Sequence, residues 1–306
     1  MGMQSKYIWM DGEMVPFEKA TLHFLTPALH YGAGVFEGIR AYATRTGSAI
    51  FRAREHARRL VDSAKVLGFE DLGWDADALV EAFREVVRAN GFGDCYIRPL
   101  VYATEGCWSL SLAGAKASVG IAAWEWNAYL GAEAREAGVR ANVSSFTRHH
   151  PNVMMTKAKA SGMYVNSILA KTESVKLGFD EAIMLDPQGY VAECTGENLF
   201  VVKDGRMRSS PRAGVLEGIT RDSIFSLARD IGIPLEEAPI SRDQLYAADE
   251  VMVCGTAAEV VGLREIDHRA IGSGRTGPLT RRLQEAFHAA VRGEGPRSAE
   301  WLTPVA

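Results

Sequence analysis

The chain has 306 residues, 47% of them hydrophobic, which allows a large core and exceeds what one domain usually holds. Thirty-four Lys and Arg against 38 Asp and Glu give a formal net charge of -4, with no polybasic run and no basic-aromatic interleaving, so nucleic acid is excluded as the expected partner. Met1 to Met10 lacks the charged-then-apolar pattern of a leader, and no run of about 18 apolar residues occurs, so a soluble cytoplasmic protein without a membrane partner is expected.

The chain opens with a hairpin: Tyr7 to Met10, the turn pair Asp11-Gly12, then Glu13 to Val15. An extended segment follows over Gly34 to Ala43. From Arg54 to Leu67, residues Ala57, Leu60, Val61, Ala64 and Leu67 recur at helical spacing before the stop at Gly68, and a second helix runs from about Asp75 to Asn90, ended by Gly91. Tyr96 to Thr104 and Ser118 to Trp126 read as strands, so residues 1–126 form a small α+β domain. Residues 127–138, with Gly131 and a run of Ala and Glu, break the pattern as an inter-domain connection. Residues 139–306 form a larger mixed domain. It starts with a strand over Val139 to Ser145 and a helix over Tyr164 to Lys176, with Val165, Ile168, Leu169 and Val175 on one face and Gly178 as the stop. Short strands follow at Glu181 to Leu185, Tyr190 to Glu193 and Asn198 to Val202, then helices starting at Thr220 and near Ser241 and a last one over about Leu279 to Val291.

Cys95, Cys107, Cys194 and Cys254 are widely spaced, with no C-x-x-C pair and no histidine at a metal-ligand interval, so they read as core thiols. His149-His150 precedes Pro151-Asn152 and reads as a solvated loop pair; no metal is expected.

Four segments could carry chemistry. Lysine condenses with an aldehyde when its amine is partly desolvated, and Lys159 sits among small residues in Lys157-Ala158-Lys159-Ala160-Ser161-Gly162, although two such lysines are also common surface charges. Glu193 ends an apolar strand and could hold a proton on a pyridine nitrogen, or be a solvated strand-end acid. The stretch Gly214 to Asp222 closes on a residue suited to N-cap the helix of Ile224, Leu227, Ala228 and Ile231, where free amides favour a phosphate or merely start a helix. Val251 to Ala258 is a strand entering a small-residue turn that could offer amides and a hydroxyl to the same anion.

Read in order, these segments resemble the class IV, fold-type IV aminotransferases, above all the branched-chain amino acid aminotransferases. The resemblance spans nearly the whole chain: His30 to Tyr42, Arg54-Glu55-His56 through Arg59-Leu60, Tyr96-Ile97-Arg98-Pro99, Lys159 to Tyr164, Glu193 to Phe200, Gly218 to Arg221 and Gly255 to Glu259. It implies a two-domain α/β (α+β) fold with pyridoxal 5'-phosphate at the domain interface, and transfer of an amino group between branched-chain L-amino acids (Leu, Ile, Val) and 2-oxoglutarate.

Carried over by position, Lys159 is the Schiff-base lysine and proton shuttle, Glu193 pairs with the pyridine nitrogen, Tyr164 with the ring hydroxyl, and Arg59 with the phosphate. Gly218, Ile219, Thr220 and Thr256 complete the phosphate cup, and Lys157 is dispensable. Tyr31, Phe36, Gly38, Tyr129 and Tyr164 fall at positions that wall an apolar pocket, and Thr256 and Ala257 receive the α-carboxylate. Arg98, with Arg40 nearby and Tyr96 beside it, meets the distal carboxylate of glutamate. An apolar pocket with a guanidinium at its rim can take leucine in one half-reaction and glutamate in the other. The loop Glu105 to Leu112 implies a homodimer or higher oligomer. Met163, Cys194-Thr195 and Trp126 depart from the family pattern and could tilt the pocket. D-amino acid and (R)-amine aminotransferases and aminodeoxychorismate lyase use the same scaffold and remain the alternatives, with a non-enzymatic scaffold protein as the other class.

Overall fold

The computed structural model describes residues 5–106, 108, 110–126 and 133–306. By contacts they divide into two mixed α/β units. One comprises residues up to Trp126 together with Lys157–Gly162 and Ala289–Ala306, and the other the remainder. The segments 157–162 and 289–306, expected in the second domain, therefore belong to the first. The reason is β pairing: Val35 bridges to Ala160, and the terminal strand Leu302–Pro304 pairs with Gly47–Phe51. Short edge pieces of this kind carry too little periodicity to be read from sequence.

The first unit is built on an eight-stranded antiparallel sheet, in the order Leu302–Pro304, Gly47–Phe51, Ile39–Thr44, Cys95–Glu105, Lys116–Glu125, Tyr7–Met10, Glu13–Pro16, with Gly34–Phe36 also on Cys95–Glu105. The opening hairpin turns on Asp11 and Gly12, at φ 47° and 99°, the left-handed pair a two-residue loop requires. The extended segment expected over Gly34 to Ala43 is two strands. Glu37 donates its N–H to Pro99 O at 3.0 Å, but proline has no N–H to return, so the ladder lapses at Glu37-Gly38 before resuming at Ile39. That gap receives the Glu37 side chain described with the site below.

Helices Ala53–Leu67 and Ala76–Asn90 pack against each other and cover the sheet, burying Ala57, Leu60 and Ala64 from one and Leu79, Phe83 and Val86 from the other. Each large apolar side chain buried this way contributes roughly 1.5–3 kcal/mol. Asp75 caps the second helix by accepting the Ala78 N–H at 2.8 Å, and Gly68 and Gly91 end the two helices with left-handed backbone.

The second unit holds a nine-stranded mixed sheet, in the order Val191–Cys194, Glu181–Leu185, Val139–Val143, Glu259–Ile266, Glu250–Gly255, Asn198–Lys203, Arg206–Ser209, Leu235–Glu237, with Arg269–Ala270 on Glu259–Ile266. Its core runs through Val139, Ile183, Leu199, Val253, Val261 and Ile266. The helix Tyr164–Lys176 forms as expected, but its apolar stripe faces out: Val165, Ile168, Leu169 and Val175 are 59, 61, 46 and 58% exposed, while Ser167, Ala170 and Ser174 are buried. The helix expected from Thr220 runs over Ile219–Asp230; its N-cap is Gly218, and Asp222 lies inside the first turn.

The helix Pro278–Val291 is capped from a distance. The buried Glu250 carboxylate accepts the N–H groups of Leu279 and Thr280 at 2.9 and 2.8 Å and the Thr280 hydroxyl at 2.7 Å. Glu250→Ala strands these donors, and we expect it to cost about 3 kcal/mol, seen as a lower urea midpoint at unchanged m-value. A midpoint within error of the parent's is the result that rejects this assignment.

Candidate active site

In the first unit, helix Ala53–Leu67 presents His56, Arg59 and Ser63 on successive turns of one face, the spacing that aligns side chains along a helix. Ser63 Oγ accepts the Lys159 N–H at 3.1 Å, and the Lys159 carbonyl accepts the Phe36 N–H at 3.0 Å, so the lysine backbone is pinned from both sides. Ala158 and Ala160 flank it in buried positions. Lys159 Nζ stands 5.1 Å from the centroid of the Phe36 ring, and Arg98 Cζ stands 4.8 Å from the same ring. An aromatic face favours a cation by about 0.5–2 kcal/mol, so Phe36 holds both at an apolar surface. Lys157, by contrast, is exposed.

Arg98 is further placed by Tyr96, whose hydroxyl accepts from Nη2 at 3.1 Å. Tyr96 is packed against Trp124 and Trp126, at 5.1 and 4.9 Å between ring centroids, so the departure at Trp126 buttresses this tyrosine. Gly38 is the reason the tyrosine fits: a Cβ there would lie 2.0 Å from its hydroxyl oxygen. Arg40 is directly opposite Tyr96 in the strand pairing, and its guanidinium lies over Tyr42 at 4.9 Å. Tyr31 ends a short helix, 46% exposed, and its described ring contacts are to His30 and Trp108 rather than to Phe36 or Arg98. Tyr129 lies outside the described residues.

Glu37, in the gap opened by Pro99, is fully buried. Arg59 donates to it through Nε at 2.6 Å and Nη2 at 2.8 Å, and His56 Nδ1 lies 2.7 Å from its second oxygen. Burial alone would raise this carboxyl's pKa, but Arg59 and His56 together hold it well below the usual carboxylate range. Burial pushes the His56 imidazole down, which leaves it neutral with an Nδ1 proton to donate.

The second unit gathers a different set around Asn198. Its Nδ2 donates to Glu193 Oε2 at 3.3 Å and to the Leu216 carbonyl at 3.1 Å, and the Leu216 N–H donates to the same Glu193 oxygen at 3.2 Å. The other Glu193 oxygen lies 2.7 Å from Arg148 Nε, off the N–H axis, so the contact is an ion pair rather than a linear hydrogen bond. Both side chains are nearly buried, at 7 and 10% exposure. Thr195, a second departure, donates its hydroxyl to the buried Glu181 at 2.5 Å, a carboxylate it shares with Lys171, so it fixes the turn after Glu193; Met163, the third, is buried.

Gly218 begins the helix Ile219–Asp230 with no side-chain cap, and a Cβ on it would lie 2.0 Å from Asn198 Oδ1. The first-turn amides of Ile219 and Thr220 and the positive end of a twelve-residue helix are thus presented over a glycine, which suits a phosphate. Gly255 pairs with Glu259 across a three-residue hairpin loop that holds Thr256 and Ala257, partly exposed, with Glu259 in the left-handed region at φ 60°. A Cβ on Gly255 would lie 3.1 Å from the Gly196 carbonyl, so this loop closes on the turn after Glu193. Tyr164 begins the helix Tyr164–Lys176, partly buried.

The residues of each unit therefore fit pyridoxal phosphate. The first supplies a lysine amine at an apolar ring and a guanidinium on a buried carboxylate; the second supplies a buried, ion-paired carboxylate and an uncapped helix start. Sequence reasoning assigned no role to Arg148, Asn198 or Glu37. Asn198 and Glu37 stand inside quoted motifs, where a polar side chain between apolar strand residues was a usable signal; Arg148 sits beside His149-His150 with none.

Residues 34–266 match the amino-transferase class IV family. The chain is 50% identical over 299 residues to the branched-chain-amino-acid aminotransferase of Pseudomonas aeruginosa, covering 97% of each. It is similar in structure to the Escherichia coli branched-chain amino acid aminotransferase, with TM-score 0.95 and 46% identity over 99% of this chain and 100% of that one. It is also similar to the branched-chain amino acid aminotransferase of Thermobaculum terrenum in its PLP-bound holo-form, with TM-score 0.93 and 34% identity over 100% of both chains.

Proposed function

The chain belongs to the amino-transferase class IV family, and from that premise we propose that it moves an amino group between branched-chain L-amino acids and 2-oxoglutarate, with pyridoxal phosphate as the carrier. The observation that carries the substrate reading is the Phe36 ring with Arg98 at 4.8 Å over it, because it joins an apolar wall to a cation. Leucine packs against the ring, and the distal carboxylate of glutamate meets Arg98, which Tyr96 orients.

When bound, pyridoxal phosphate supplies an aldehyde that takes the amino group and a ring that accepts the electron pair left at the substrate α-carbon. Lys159 would hold the aldehyde through its amine, and that amine, placed over the Phe36 ring, would move the proton at the substrate α-carbon. Glu193, kept in place by Arg148 and Asn198, holds the proton on the pyridine nitrogen. Tyr164 donates to the ring oxygen. Arg59 and the Gly218, Ile219, Thr220 and Thr256 groups bind the phosphate, while Thr256 and Ala257 receive the α-carboxylate. Tyr31, Phe36, Gly38 and Tyr129 bound the side-chain pocket, with Arg40 adding positive charge near Arg98.

The visible spectrum of the purified, cofactor-loaded protein tests this. L-leucine should discharge the cofactor band and 2-oxoglutarate restore it; discharge only by D-alanine or an (R)-arylalkylamine overturns the substrate reading and leaves the cofactor chemistry standing. Arg98→Met should raise KM for 2-oxoglutarate roughly 10- to 100-fold, the worth of one or two charged hydrogen bonds, while KM for 4-methyl-2-oxopentanoate moves little. An equal rise for both substrates removes Arg98 from distal-carboxylate recognition.

The same reading includes self-association. Phe24, Leu25 and Leu29 in the first unit are 76, 55 and 60% exposed, and the helix Tyr164–Lys176 carries the uncovered stripe described above. Apolar faces of this extent mark association surfaces. Light scattering should give at least twice the 33.3 kDa chain mass, and a monomer at micromolar concentration rejects it. Among the described residues no helix is long and apolar enough to cross a membrane. The buried free thiols of Cys95, Cys194 and Cys254 suit a reducing compartment, and we place the protein in the cytoplasm, to be checked by cell fractionation.

A further inference from the structure

We propose that Glu37 is a positioning residue for the cofactor's phosphate, acting through Arg59. The inference rests on the assignment of Arg59 to that phosphate. Glu37 grips the guanidinium side-on, using Nε and one hydrogen of Nη2, at 2.6 and 2.8 Å. A guanidinium has five N–H donors in a rigid plane, so this grip leaves the end edge, made of one Nη1 hydrogen and the second Nη2 hydrogen, turned away from Glu37. The phosphate is received on that edge. A tetrahedral dianion takes two parallel N–H bonds from such an edge only if the plane is already oriented.

An arginine side chain loses rotamer freedom when it is fixed, and the carboxylate removes much of that freedom before the cofactor arrives. Glu37 is itself well anchored. It is fully buried, fixed in the strand gap at Pro99, and held on its second oxygen by His56 at 2.7 Å. His56 and Arg59 come from the same helix face that braces Lys159 through Ser63, so one helix sets both the guanidinium and the lysine backbone. A carboxylate without solvent contact, paired with a cation, gives little net stability compared with apolar packing of the same volume. Its place here is better explained by what it orients.

Binding of pyridoxal phosphate and of pyridoxal, which lacks the phosphate, to the cofactor-stripped full-length chain tests this by absorbance titration. The readout is the ratio of the two dissociation constants. We expect Arg59→Ala to shrink the preference for the phosphorylated form about 100-fold and Glu37→Gln about 10-fold, each with pyridoxal binding unchanged, as loss of charged hydrogen bonds to one group implies. If Arg59→Ala shrinks the preference and Glu37→Gln leaves it at the parent value, the positioning role is overturned and the Arg59 assignment stands. If Arg59→Ala leaves the preference intact, the assignment fails and the inference with it. Equal weakening of both ligands by Glu37→Gln shows a purely structural role and also overturns the proposal. Should Glu37→Gln not fold, His56→Gln removes the carboxylate's other side-chain anchor and should lower the ratio a few-fold; an unchanged ratio counts against the proposal.

Discussion

Lys159→Ala should reduce transfer of the amino group from L-leucine to 2-oxoglutarate by at least about a thousand-fold, because it removes two functions together. Proton transfer by a positioned side chain is worth roughly 10²–10⁴ in rate, and the covalent hold on the cofactor aldehyde adds to it. The loss should be visible without turnover, as a shift of the cofactor band in the purified protein. The neighbouring Lys157 is the internal control. It is exposed, whereas the Lys159 backbone is clamped between Ser63 and Phe36 and its amine lies over the Phe36 ring. Lys157→Ala should stay within about two-fold of the parent, as surface changes usually do. A Lys157→Ala protein as inactive as Lys159→Ala, or a Lys159→Ala protein with the parent's spectrum and rate, would remove Lys159 from the role given to it.

Much of this was legible along the chain because it is local. The two helices before Gly68 and Gly91 and the Asp11-Gly12 hairpin each carry their own period and stop signal. Lys159 and Glu193 could be named because their motifs recur in order with those of a known family. The orienting partners could not. Glu37 reaches Arg59 and His56 only because Pro99, on another strand, interrupts the ladder opposite it, and Asn198 becomes a hub only where Glu193 and Leu216 converge on its amide. The outward direction of the Tyr164–Lys176 stripe was not legible for a related reason. Periodicity reveals an apolar face but not whether the chain's own core or something else covers it, and here Ser167, Ala170 and Ser174 pack inward. Lys157–Gly162 joins the first unit through one isolated β bridge and the bonds of Lys159 to Ser63 and Phe36, contacts between distant segments that leave no pattern in the sequence.

Glu193→Gln separates what the Arg148 pair does for folding from what it does for chemistry. Arg148 lies 2.7 Å from Glu193 with about a tenth of its side chain exposed, so the neutral amide leaves a nearly buried cation without its counter-charge. Breaking one side of such a pair costs roughly 3–5 kcal/mol, and Arg148→Met alone should cost a similar amount by stranding the carboxylate. The double variant removes both charges and should recover to within about 1 kcal/mol of the parent, a coupling energy of several kcal/mol in a double-mutant cycle of urea unfolding. Activity should not follow stability. Glu193→Gln and the double variant both lack the anion that keeps the pyridine nitrogen protonated, and both should transfer the amino group at least about a hundred-fold more slowly, since charge stabilisation at the electron-accepting ring is lost. Arg148→Met keeps that anion and should retain more activity than either. Recovery of the rate together with stability in the double variant would make Glu193 a structural acid and move the search for the nitrogen's partner elsewhere. Recovery of stability alone would assign the carboxylate to the chemistry and Arg148 to holding it there.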